Sequence, residues 1–329
     1  MVKRLNRGMD RDMYLDFYGF TKNPFQMTPD NDFLYMSQQH ARALVYMDYA
    51  TWRPGGFVVI TGEIGSGKTT LVKWLLKNIT GKVNFFHVAF ANLSGNDLFH
   101  YLLRQVNIIP KKEDKISLIY TFQEYLVKSA KKGLPHVLII DEAQNLTKDQ
   151  LEDIRMLAAL EGSDGPLLRI TLLGQPEFLN MINMSEQFKQ RVKLHFHLKG
   201  LQKEDVAKYI EYRVIKSGLE ANTLFDEKLM DKIYEFSKGV PRLINKICDA
   251  LLMCAYAEEH DKPRIEDIEL ILPDLMIDNP SLQIPKELDK AINCLNQTEV
   301  QNSNVLMERL VLAVESLNNN LSLLVNKGQ

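Results

Sequence analysis

Two short stretches hold the side chains whose types and spacing could do chemistry. The first, "TGEIGSGKTT", sets four residues between Gly62 and Gly67-Lys68-Thr69, and lies between an apolar run, "FVVIT", and an amphipathic one, "LVKWLLKNI". A glycine-rich turn that closes a strand and opens a helix is the context of a phosphate-binding P-loop. Glycines let successive backbone N–H groups turn inward on an anion, and the helix start adds partial positive charge. The expected ligand of Gly62, Glu63, Ile64, Gly65, Ser66, Gly67, Lys68, Thr69 and Thr70 is the phosphate chain of ATP. Lys68 is expected to reach the β- and γ-phosphates, and Thr69 to place its hydroxyl on Mg²⁺.

The second stretch is "VLIIDEAQNL", residues 137–146, an apolar run that ends in an acidic pair. Asp141 fits the acid that orients the metal, and Glu142 the general base that polarises the attacking water. Taken alone, the pair also reads as a solvated acidic loop. The letters DEAQ spell the acidic box of some helicases as well. A helicase of that kind needs a second α/β domain to close on the nucleotide, and only about 130 residues follow the last strand, most of them helical or linker.

The elements that must position these groups follow from the hydrophobic pattern. Strands are expected at 57–61, 84–90, 136–140, 167–174 and 194–198, with helices between them near 67–79, 95–107, 115–132 and 147–160. A further helix begins after Ser37, a suitable N-cap. Near-continuous apolar strands alternating with helices predict a mostly parallel sheet covered on both faces. After Gly200 the strand signal stops and four segments with helical spacing follow. The fold class read from this is α/β: a P-loop domain with a mostly parallel sheet, then a small helical lid domain, then a C-terminal helical tail. The expected divisions are an extension and linker over 1–36, the nucleotide-binding α/β domain over 37–200, the lid over 201–275, a linker over 276–304 and an amphipathic helix over 305–329. In the last, Leu306, Leu310, Ala313, Leu317 and Leu324 form a seam that Asn320 interrupts.

A P-loop α/β domain followed at once by a helical domain is the AAA+ layout. That resemblance implies roles for further residues. In "KGVPR", Gly239 ends one helix and Pro241 opens the next, which leaves Arg242 at a helix start on the lid, where AAA+ proteins carry an arginine that touches the γ-phosphate. Arg191, in "FKQRV", lies just before the last strand and is the candidate finger that completes a neighbour's site; Lys189 and Lys193 are weaker candidates. Gln175, in "LLGQPEF", ends a strand beside Asp141 and is the candidate sensor of the γ-phosphate, with Thr171 as the weaker alternative. The bland readings are helix punctuation for Arg242 and an ordinary surface arginine for Arg191.

The opening "MYLDFYGFTKNPFQMTPDNDFLYMSQQHARALVYMDYA", with "GGFVVITGEIGSGKTTLV", "IIDEAQNLTKDQLEDIRML", "LLGQPEF", "QRV" and "GVPRLINKICDALL" in that order, resembles the ExeA-like ATPases, the general secretion pathway protein A group. Most of all it resembles the secretion ATPases associated with exosortase and exopolysaccharide loci. The resemblance covers about 14–272. It implies an AAA+ ATPase that assembles as a homo-oligomer, ring or filament, and serves an envelope export system with a membrane-associated component. It also places the "NPF" segment near the adenine, with Pro24 and Phe25 either as base contacts or as a turn and core anchor. The membrane span and the periplasmic peptidoglycan-binding region found in ExeA have no counterpart in these residues.

Composition limits the other classes. Hydrophobic content of 45% and charged content of 25% suit an ordinary globular protein, and a net charge of −2 gives no global bias toward nucleic acid or anionic lipid. The three cysteines, Cys248, Cys254 and Cys294, form no CxxC pair, so a disulfide framework or zinc site is not expected. Cys248 and Cys254 read as small core residues. No run reaches the roughly 18–20 apolar residues of a membrane span, and no apolar segment follows the basic N-terminus, so the expected location is the cytoplasm, peripheral to the inner membrane. The alternative function is a DNA-binding ATPase that regulates transposition as a filament, for which "PKKEDK" and "KSAKKG" could supply basic contacts. A replication initiator would need a helix-turn-helix module after the lid, which the polar tail lacks. A nucleotide-dependent scaffold without hydrolysis is disfavoured by the intact Asp141-Glu142 pair.

Overall fold

The structure is a computed structural model. It describes residues 13–28, 30–79, 83–89, 96–163, 165–221 and 223–275; the expected linker 276–304, the helix 305–329, Cys294 and the first twelve residues lie outside them. The described residues between 13 and 275 form one compact unit.

Five strands build the sheet: β1 (Phe57–Gly62), β2 (Asn84–Val88), β3 (His136–Ile140), β6 (Leu168–Gly174) and β7 (Val192–Leu198). Their order is β2-β3-β6-β1-β7 and every pairing is parallel. β1 and β3 are buried along their whole length, which is why they read as unbroken apolar runs. A two-residue hairpin, β4 (Glu161–Gly162) with β5 (Gly165–Pro166), stands apart from the sheet.

Alternate strand residues feed two cores. Phe57, Val59, Phe86, Leu138, Ile140 and Leu172 face one side, under α4 (Asp97–Gln105), α5 (Lys115–Ala130), α6 (Lys148–Leu157) and α7 (Phe178–Asn183). Val58, Ile60, Val137, Ile139, Leu173 and Leu198 face the other, under α2 (Gln38–Trp52) and α3 (Lys68–Asn78). Ser37 caps α2 by accepting from the His40 N–H, and Thr147 with Gln150 forms a full capping box on α6.

The helical part comprises α9 (Lys203–Lys216), α10 (Glu227–Ser237), α11 (Pro241–Ala257) and α12 (Asp267–Ile271). Lys238 and Gly239, with φ of +50° and +74°, turn the chain out of α10, and Pro241 stands in the first turn of α11. A short helix unread in the sequence, α1 (Met13–Tyr18), packs on α11. From it, residues 20–35 run across α9: the Thr21 N–H donates to Ser217 O at 2.8 Å, and the buried Arg213 guanidinium donates to the carbonyls of Pro24 and Gln26. Tyr35 Oη donates to Asp205 at 3.1 Å. This strap ties the helices to the sheet just ahead of α2.

The structure corrects several expected boundaries. β2 stops at Val88 rather than residue 90, β7 begins at Val192 rather than 194, and α4 is shorter than the expected helix over 95–107. The short α7 and α8 (Glu186–Lys189) were also unread. Cys248 is core, but Cys254 is only half-buried.

Candidate active site

The parallel strands β1, β3 and β6 deliver their carboxyl ends to one edge of the sheet, the edge where ligands sit in open α/β folds. The turn after β1 wraps back so tightly that Gly62 has no room for a side chain: a Cβ would lie 2.6 Å from Leu198 O. Gly65 and Gly67 take φ of +82° and +99°, a region that L side chains avoid. Their backbone leads straight into α3, whose free N-terminal N–H groups are the kind that cradle an anion.

Lys68 is buried at the mouth of this cradle, 6% exposed, its ammonium donating to Gly62 O at 2.6 Å and Glu63 O at 3.0 Å. Burial pushes its pKa down, opposed by the charges of Glu142, Asp141 and Glu63. Thr69 donates its hydroxyl to Asp141 Oδ2 at 2.6 Å. Asp141 is 2% exposed, and burial raises its pKa against the Thr69 bond and the Glu142 N–H, which donates to Oδ1 at 2.9 Å. A buried carboxylate next to a hydroxyl is a pair of hard oxygen donors, the kind that suits a small divalent cation. The Ser66 hydroxyl is buried without a partner. A phosphate chain would supply an acceptor for it.

A cavity opens from this cradle toward the helical part. Ile64, Gly65, Gly67, Lys68, Thr69 and Thr70 line its floor, with Glu142 and Gln175 at the ends of β3 and β6. Pro241, Arg242 and Asn245 of α11, with Tyr209 and Arg213 of α9, form the opposite wall. Gln26, Met27, Thr28, Asp30, Phe33, Leu34 and Tyr35 of the strap close the far end, an apolar slot with polar rims beyond the phosphate cradle.

Most of the expected site residues meet here; Pro24, Phe25 and Arg191 do not, nor do the weaker candidates Thr171 and Lys193. Arg242 lies at the start of α11 against the P-loop, its N–H donating to Gly65 O at 3.3 Å. Gln175 lines the cavity, whereas Thr171 is 1% exposed inside β6 and serves packing. Pro24 and Phe25 are corrected: neither lines the cavity. Phe25 is 1% exposed, edge-on to Phe225, and Pro24 gives its carbonyl to Arg213. Their neighbours Gln26, Met27 and Thr28 face the slot instead. Arg191 stands at the other end of the sheet, its carbonyl accepting the Phe57 N–H at 2.7 Å. The length of β1, about 16–20 Å at roughly 3.3 Å per residue, separates it from this chain's own cradle. Lys193 is exposed and donates to Pro54 O.

Sequence reasoning passed over His40 and Gln144. His40, buried in α2, sits beneath the P-loop: Nε2 is 3.1 Å from Ser66 O and Nδ1 is 2.7 Å from Ser37 Oγ. A carbonyl only accepts, so Nε2 carries the proton and Nδ1 accepts from the serine. Burial lowers the His40 pKa and favours this neutral form. Gln144 bridges Glu142 and the end of β6. Both depend on partners distant in sequence, and only the N-cap serine left a signal.

Residues 52–182 match the family model described as an AAA domain. The chain is 33% identical over 261 residues to general secretion pathway protein A of Aeromonas hydrophila, a match that takes in 78% of this chain and 48% of that protein. The chain therefore spans about half the length of this curated relative. Among solved structures it is similar to ORC2 of Aeropyrum pernix in ADPNP–ADP complexes, with a TM-score of 0.56 at 16% identity over 88% of this chain and 82% of that one. It is also similar to Cdc6p of Pyrobaculum aerophilum, with a TM-score of 0.58 at 15% identity over 74% and 68%. Identities this low carry the fold alone.

Proposed function

We propose that the chain, which matches an AAA domain over residues 52–182 and is similar to general secretion pathway protein A, hydrolyses ATP to ADP and phosphate at the cavity beside β1 and uses the energy, as a homo-oligomer, to drive or regulate assembly of an envelope secretion or exopolysaccharide export system. The observation that carries the reading is the hydrogen bond of 2.6 Å between Thr69, the residue after the P-loop lysine, and the buried Asp141.

In this reading the P-loop N–H groups and Lys68 hold the β- and γ-phosphates. Lys68 now donates to two carbonyls of its own loop, and a phosphate oxygen would replace them. Thr69 and Asp141 would hold Mg²⁺, which when bound shields phosphate charge and orients the chain. Glu142 takes the proton from the attacking water. Arg242 and Gln175, which both line the cavity, are assigned to the γ-phosphate. Phe33, Leu34 and Tyr209, which line the cavity, would hold the adenine.

Arg191 lies too far from its own cradle to act there and is assigned to a neighbouring subunit's site, which makes hydrolysis depend on a ring or filament. A membrane-associated export component is the expected partner, with the protein cytoplasmic and peripheral to the inner membrane. Among the described residues, no helix is long and apolar enough to cross a membrane. The test is phosphate release by the purified protein with Mg²⁺, with EDTA, and in Lys68→Ala. Turnover that needs neither the metal nor Lys68 would overturn the reading.

A further inference from the structure

Directly after Glu142 the chain makes a 3-10 turn, Ala143–Asn145. Glu142 itself stands at φ +54°, ψ +39°, left-handed for a residue with a Cβ. Such a conformation is strained and persists only where surrounding contacts hold it. The contact that reaches the Glu142 side chain comes from Gln144, whose Nε2 donates to Glu142 Oε2 at 2.6 Å. The other half of the same amide, Oε1, accepts from the Gln175 backbone N–H at 3.0 Å.

The orientation of that amide is fixed by chemistry. An ionised carboxylate only accepts and a backbone N–H only donates, so a flipped amide would lose both bonds. Room for it comes from Gly174, where a Cβ would lie 3.3 Å from Gln144 Oε1 and 3.0 Å from Phe178 Cβ. Glu142 and Gln175 line the cavity, while Gln144 stands behind them. It can act on a bound nucleotide only through these two neighbours.

We propose that Gln144 is a positioning residue for the hydrolysis assigned above, on which this inference rests. By holding one oxygen of Glu142, it leaves the other to face a water in the cavity. By holding the end of β6 through the same amide, it couples the base to Gln175. A displacement of Gln175 by the γ-phosphate therefore moves the base, and loss of that phosphate releases it. One side chain thus links the group that senses the phosphate to the group that activates the water.

The experiment compares wild type, Gln144→Met and Gln144→Glu in the full chain, reading kcat, KM, ATP affinity and the unfolding midpoint. Met keeps the length and removes both bonds. Glu keeps an acceptor for the Gln175 N–H and sets a second carboxylate against Glu142. The expected result is at least a tenfold fall in kcat for both variants, with KM and ATP affinity within twofold of wild type and an unchanged midpoint. Three results overturn the proposal: kcat within twofold of wild type for Gln144→Met; wild-type kcat in Gln144→Glu, which would leave only a strand clamp; or a loss carried by KM or by the midpoint, which would make Gln144 a brace. A wild-type protein without turnover would instead remove the ATPase reading itself, a distinct outcome visible before any variant is compared.

Discussion

Substituting alanine for Gly65 tests how closely the helical part is seated on the P-loop. Gly65 has φ of +82°, so any Cβ there carries backbone strain of about 1–2 kcal/mol. The new methyl would also overlap Arg242 Cβ, an atom that no rotamer change can move because it is bonded to the backbone of α11. Relief requires the start of α11 to withdraw, which breaks the Arg242 N–H bond to Gly65 O, now 3.3 Å, and carries Arg242 away from the P-loop. Gly133 provides the control. Its φ is +74°, and a Cβ there meets nothing within 4 Å, so Gly133→Ala carries the backbone strain without the overlap. Both variants are expected to lower the unfolding midpoint, by about 4 °C for strain of this size. Only Gly65→Ala is expected to weaken ATP, by at least about tenfold, equal to about 1.4 kcal/mol. The assay is titration with a fluorescent ATP analogue alongside thermal unfolding. ATP affinity in Gly65→Ala within twofold of wild type, or an equal loss in Gly133→Ala, would refute the seating of α11 on the loop.

Three further outcomes are expected. His136 is buried in β3 with its pKa lowered to about 4, first by burial and then by the Arg169 charge. The unfolded chain takes up a proton near pH 6.5 that the folded chain refuses, so stability is full above pH 6.5 and falls as pH drops toward 4, by about 2 kcal/mol at pH 5. Denaturant unfolding of His136→Phe at pH 7 and pH 5 should show that gap narrowed by about this amount, and an unchanged gap would contradict it. Arg191→Ala should lose turnover alone and regain part of it when mixed with Lys68→Ala protein, and a mixture as inactive as its components would remove the shared site. His40→Ala should weaken ATP binding about tenfold with little change in the strap, because it removes the bond to Ser66 O beneath the loop; unchanged binding would show that the loop holds itself.

What was legible in the sequence depended on how local its cause was. β1 and β3 are buried on both faces, so their apolar runs are continuous, and the residues at their ends, Gly62 through Thr70 and Asp141-Glu142, inherit their place from the strands. Arg242 was legible because Gly239 and Pro241 punctuate the chain on either side of a helix start. α1, α7 and α8 were not, since four to six residues are too few for a periodicity and α1 is held by α11 from the far end of the unit. Phe25 shows the same limit: "NPF" cannot reveal that Phe225, two hundred positions on, takes up the ring and leaves the slot to Gln26 and Met27. Gln144 was read as the fourth letter of an acidic box, and its bonds to Glu142 and Gln175 appear only once β3 and β6 lie side by side.

The measurement that bears most directly on the account is the separation of binding from turnover in Glu142→Gln. The variant keeps Lys68, Thr69 and Asp141 and replaces only the group assigned to the water. ATP affinity in the presence of Mg²⁺ should stay within about twofold of wild type while single-turnover hydrolysis falls by at least about a hundredfold, in the range of a lost general base. Hydrolysis at the wild-type rate in Glu142→Gln would contradict the assignment of the base and of the site built around it.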